Sequence, residues 1–204
     1  MTDRQFLWGL SGGVSAFAVA GAFWFGFGIS RAFTATTPWW AWALATGLQA
    51  GGLVGLLWAG YRLRRRSGFQ RADLRQADER QRAESALIRT HFVWTALAQA
   101  LVIALAVLWC VYAQAEEWIW PCIGLVVSLH LIPLARIFHV RMYYGTAFAG
   151  SIVSVLAFAR VPNPDAVPIL GCALAAVMWI SAVYMLWKAD RVASCAVREQ
   201  WAVK

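Results

Sequence analysis

From Phe6 to Ile29 the chain carries no charged side chain, and the same holds from Trp39 to Tyr61. A helix rises about 1.5 Å per residue, so about 20 residues cross a hydrocarbon layer about 30 Å thick. Each run is long enough to do so. In lipid every backbone N–H and C=O must be satisfied by the protein itself, and a helix does this locally. Four more apolar stretches follow, and spans are expected at 6–29, 39–61, 87–113, 118–137, 143–159 and 166–187. The expected fold class is all-α: a polytopic membrane protein built as one bundle of six transmembrane helices.

Composition agrees, with 61% hydrophobic and 14% charged residues, where ordinary soluble domains hold roughly a quarter charged. The net charge of +8 would point to nucleic acid in a soluble chain. Here the arginines lie between the spans, so no nucleic-acid partner is expected. The bilayer and its anionic lipid headgroups are the expected partners. Of the 18 Lys and Arg, all but Arg31 and Arg160 fall on one face when six spans are drawn. By the positive-inside rule that face is cytoplasmic and holds both termini, as expected for a multi-pass protein of a bacterial inner membrane. Trp39, Trp40, Trp118 and Trp120 mark the outer interface, and Trp58 and Trp187 the inner one. Arg4 with Ala18-Val19-Ala20 imitates a signal peptide, but the apolar run continues to Ile29 and reads as a retained span.

The extended polar segment, 62–86, reads as a basic cytoplasmic connector, helical after Ser67-Gly68. Arg64, Arg65 and Arg66 are placed against lipid headgroups, and Arg75–Glu79, Asp78–Arg82 and Arg80–Glu84 are charge pairs four apart. Just before it, small residues recur every four positions: Ala43, Gly47, Gly51, Gly55, Ala59. Such stripes let helix backbones approach closely in lipid. For Gly47, Gly51 and Gly55 an internal contact is the preferred reading. A homodimer or another membrane partner is the open alternative.

No Asp, Glu, Lys or Arg lies deep in any span, which argues against proton relays and cation sites. Phosphate loops, serine triads, zinc-protease helices and nucleophile–base pairs are absent, so no enzyme is expected. Cys110, Cys122, Cys172 and Cys195 show no CxxC or His spacing, and no metal is expected. Cys110 and Cys122 fall near the outer ends of adjacent spans, where a disulfide or two small buried thiols both fit. A haem needs paired histidines; His91 with His139 is the nearest approach, and no cofactor is expected.

What remains is a set of uncharged polar residues. Counted from the cytoplasmic ends, Gln49 and Gln99 lie about 16–18 Å deep, Ser128 and His130 about 10–14 Å. Ser151, Ser154 and Ser181 fall in a similar band, and His91 is shallower. Together they line a ligand cavity in the cytoplasmic half, or else the serines bond their own helices and Gln and His join neighbours. Within Ser128–Thr146, Pro133 removes the bond to the Leu129 carbonyl and kinks the helix beside His130. Arg136 and Arg141 form a basic headgroup rim, and Tyr143 and Tyr144 are expected in the interfacial belt.

In that stretch, with His130, then Pro133-Leu134, then Tyr143-Tyr144-Gly145, the chain resembles uncharacterised bacterial six-span integral membrane proteins grouped as a domain of unknown function. The resemblance implies a shared helical bundle and conveys no activity. The leading functional expectation is a transporter-like or ligand-binding bundle with an uncharged polar cavity opening inward, its ligand unnamed. Gln49, Gln99, Ser128, His130 and Ser151 are the candidate ligand-binding residues. The alternative is a structural or regulatory membrane subunit acting through helix–helix contacts.

Overall fold

The apolar runs satisfy their backbones as helices. The structure, a computed structural model, describes residues 3–67, 79–161, 163 and 165–202, with side chains over 10–65, 86–161, 163 and 165–191. In chain order the helices are α1 (Asp3–Ala32), α2 (Trp39–Ser67), α3 (Glu79–Tyr112), α4 (Ile119–Phe138), α5 (Met142–Phe158) and α6 (Ala166–Ala202). A 3₁₀ turn, Glu116–Trp118, leads into α4, and no strand occurs among the described residues. The molecule is an all-α bundle.

Five helices are long and apolar enough to cross a membrane, the architecture of a multi-pass protein. The exception is α5. Its 17 residues, as many as the span expected at 143–159, cover only about 25 Å, short of a hydrocarbon layer about 30 Å thick. Pro133 lies inside α4 without ending it.

Two turns use left-handed backbone. Gln114 (φ 52°) follows α3, where the Ala115 N–H donates to the Cys110 carbonyl at 2.8 Å. His139 (φ 54°) caps α4 and donates its N–H to the Ala135 carbonyl. That sharp cap lets α5 start three residues later and run back along α4.

In space the helices follow the order α2, α1, α6, α5, α4, α3, with smaller contacts of α6 to α2 and α4. The first and last helices form the central pair. One core gathers Leu10, Val14, Phe17, Met178, Met185 and Tyr143 at the end of the bundle that carries Arg64, Arg65 and Lys188, the basic end. A second gathers Trp24, Leu170 and Leu174 towards the other end. Glycines set how close α1 and α6 come. A Cβ on Gly171 would lie 2.6 Å from the Gly28 Cα, so the two backbones touch.

The outer two helices are barely covered. Apart from Cys110, no residue of α3 from Ala86 to Tyr112 is buried; from Trp39 to Arg65 of α2, only Ala45, Gly60 and Leu63 are. Their exposed Leu, Val and Trp side chains would be an aggregation hazard in water and are an ordinary surface against hydrocarbon.

Candidate functional site

The polar candidates are spread over four helices, and among them only Gln49 hydrogen-bonds a neighbouring helix. Gln49 of α2 donates from Nε2 to the Ala22 carbonyl of α1 at 2.9 Å, and its amide lies where a Cβ on Gly26 would be. Gln99 lies on α3 in the half-covered series Thr95, Gln99, Ile103, Ala106, which leads to buried Cys110, on the helix that packs against α4. The Ser128 hydroxyl is fully buried and donates to the Gly124 carbonyl, 2.8 Å away in its own helix. His130 is half-buried and has no hydrogen-bond partner among the described residues. Ser151 Oγ is the one buried side-chain oxygen, among the described residues, without a partner. His91 bonds the Leu87 carbonyl of its own exposed turn.

Ser128 and Ser154 belong to a reciprocal clasp. Gly124-x-x-x-Ser128 on α4 runs against Gly150-x-x-x-Ser154 on α5. A Cβ on Gly124 would meet Ser154 Oγ at 2.8 Å, and one on Gly150 would run into Ser128 Oγ. Each serine satisfies its hydroxyl on its own helix, so neither of the two is left unpaired by the close approach. The small-x-x-x-small spacing in both segments was a signal available in the sequence.

Of two further polar contacts, the sequence reading included Ser181 but neither Thr146 as its partner nor Trp179. Thr146 Oγ1 and Ser181 Oγ meet at 2.7 Å and tie α5 to α6. Trp179 is wedged between Gly21 of α1 and Gly52 of α2, with its Nε1 donating to the Ala18 carbonyl at 3.4 Å. A tryptophan in mid-span, away from both interfacial belts, was the clue to it. Tyr143 also departs from expectation. It is buried, with its ring edge-on to Phe17 at 5.4 Å and Phe138 at 6.4 Å, while Tyr144 is exposed as a belt residue would be.

The glycine stripe of α2 differs from the preferred reading as well. Nothing lies within 4 Å of a Cβ built on Gly47, Gly51 or Gly55, and all three are exposed. The internal face of α2 is instead Ala45, Gln49, Gly52, Leu56, Gly60 and Leu63, because Gln49 finds its acceptor on α1 and Gly52 admits Trp179. Of the headgroup candidates, Arg64, Arg65, Arg136 and Arg141 are exposed at the basic end. Arg65 lies 5.8 Å from the Tyr61 ring. Arg66 and the charge pairs of 75–84 fall outside the described side chains.

Two cavities stand out among the described residues. A groove of about 690 Å³ opens sideways between α1 and α4, walled by Ala16, Val19, Phe23, Ile123 and Val127. Phe27 packs on Trp120 at 3.8 Å between centroids, bridging α1 and α4 nearby. The Ser15 hydroxyl in its wall is turned to the Ser11 carbonyl, so the groove is apolar. The other cavity, about 230 Å³, lies at the basic end between the α4–α5 turn, α1 and α6. None of the five ligand-binding candidates lines either one. Comparison of the chain with protein-family models, curated proteins and solved structures finds no match. Cys110 and Cys122 face each other across α3 and α4 as free thiols, Sγ–Sγ 4.0 Å. No group of three or more metal-binding side chains occurs among the described residues.

Proposed function

We propose that the protein is a membrane subunit that self-associates through α2. The observation that carries this is the uncovered stripe of Gly47, Gly51 and Gly55. Glycine inside a helix costs about 1 kcal/mol relative to alanine, and against fluid lipid nothing returns that energy. Against a second helix the same stripe allows backbone contact. A flat small-residue face is self-complementary about a two-fold axis, which favours a second copy of this chain as the occupant. Exposed Leu44, Leu48 and Val54 beside it supply flanking apolar contact.

Gly51→Leu tests the reading, since the added side chain meets open space within one copy. In lipid nanodiscs the wild type is expected to be a dimer by mass and the variant a monomer of unchanged helicity. A wild type that stays monomeric at high protein-to-lipid ratio would sink the reading.

A ligand-binding role is the second reading, and the α1–α4 groove favours it. Its size suits a small ligand, and its apolar wall opening on hydrocarbon fits an acyl or isoprenoid chain. Val19→Trp would fill it and should abolish photo-crosslinking of a diazirine fatty acid to α4; undiminished labelling counts against it.

A further inference from the structure

The cavity at the basic end is built unlike the rest of the surface. Its lining is Leu10 of α1, His139, Val140, Arg141 and Met142 of the α4–α5 turn, and Tyr184, Met185 and Lys188 of α6. We propose that it binds a phosphate monoester, carried by a membrane lipid headgroup or by a small soluble molecule.

The first argument is charge. Arg141 and Lys188 are cations brought together from separate elements, and no carboxylate among the described residues lines the cavity. Asp190, two residues beyond Lys188, sits roughly 200° around the helix from it. Two cations in one recess repel each other, and a bound anion removes that repulsion. Arginine offers a planar fork of donors and lysine a point charge, the pairing that suits phosphate oxygens. The His139 imidazole and the Tyr184 hydroxyl can add neutral donors.

The floor is the second argument. Leu10, Val140 and Met185 are buried and apolar, so an anion on this floor is partly withdrawn from water and feels its cations more strongly. Arg64, Arg65 and Arg136 line neither cavity.

The third is the backbone. His139 has φ 54°, a conformation glycine adopts without strain. A glycine would make the same cap and leave the cavity without an imidazole.

The test has two arms, one for each source of phosphate, and both follow thermal unfolding of the full chain. One arm titrates inorganic phosphate against chloride at matched ionic strength in a neutral maltoside. The other compares nanodiscs of phosphatidylcholine with nanodiscs of phosphatidylcholine containing a minority of phosphatidic acid. Saturable stabilisation is expected in at least one arm, and the responding arm identifies the carrier. Arg141→Ala and Lys188→Ala should each weaken the response about tenfold or more, as expected for loss of a charged hydrogen bond. Arg89→Ala, exposed on α3 and outside the cavity, should leave it unchanged. His139→Gly should weaken it while leaving the unliganded melting temperature the same or higher. No saturable response in either arm, or an equal loss in Arg89→Ala and Lys188→Ala, overturns the proposal.

Discussion

Tyr143 and Tyr144 are adjacent in sequence and have opposite fates. One is wedged among Phe17, Phe138 and Gly13; the other faces outward. A helix turns about 100° per residue, so a tyrosine pair cannot share one environment. The phase of α5 was legible in its small and hydroxyl residues, for Tyr143, Thr146, Ala147, Gly150, Ser154 and Ala157 form its buried stripe. Read as an apolar run alone, the segment conceals that stripe. Its consequence at Gly13 is testable. A methyl there would sit 2.7 Å from the Tyr143 hydroxyl and 3.2 Å from Met185 Sδ, an overpacking that typically costs about 1–3 kcal/mol. Gly13→Ala should therefore lower stability in denaturant titrations in micelles. Tyr143→Phe, which deletes the clashing oxygen, should recover most of the loss in the double variant. If the double variant is no better than Gly13→Ala alone, the hydroxyl is not what Gly13 accommodates.

Among elements, α1 and α2 show why glycine spacing is an incomplete guide. The regular stripe of α2 faces open space, while the irregular glycines of α1 receive Tyr143, Trp179, Gln49 and the backbone of α6. Periodicity reveals that a face is smooth; which neighbour lies against it depends on partners far along the chain. Two substitutions of identical size should thus diverge. Gly171→Ala drives a Cβ into the Gly28 backbone, where no side chain can swing aside, and is expected to cost about 3 kcal/mol. Gly47→Ala meets nothing and should be neutral or stabilise one copy by up to about 1 kcal/mol through helix propensity. Comparable unfolding midpoints for the two variants, measured in dilute micelles, would contradict this assignment of faces. Other element-level features were plain in the sequence. Trp58 with Arg62 and Trp187 with Arg191 repeat one W-x-x-x-R pattern, and their guanidinium-to-ring distances are 3.9 and 3.8 Å, as fits an interfacial anchor. If copies pair through α2, a right-handed crossing near −40° would splay the helix ends and keep the two arginine clusters apart.

For the whole molecule, the all-helical class and the concentration of basic residues at one end follow from apolar run length and loop charge. The order of neighbours did not, because every outward face in lipid is as apolar as an inward one and association rests on fit. The short α5 makes the crossing count worth measuring. If the α4–α5 pair crosses fully, Ser67→Cys and Asn163→Cys, in a background without other cysteines, should label from opposite sides of sealed vesicles. Labelling of both from the same side would mean that α5 turns back within the bilayer. The central α1–α6 pair has a further meaning for how the protein is made. Ribosomes add about 5–20 residues per second, so on the order of ten seconds separate completion of α1 from the start of α6. Throughout that interval Val14, Ala18 and Ala22, fully buried in the finished bundle, have no α6 to pack against. The fold closes only when α6 follows, and a nascent chain arrested before it would leave α1 awaiting its mate, a natural client for membrane chaperones and quality-control proteases.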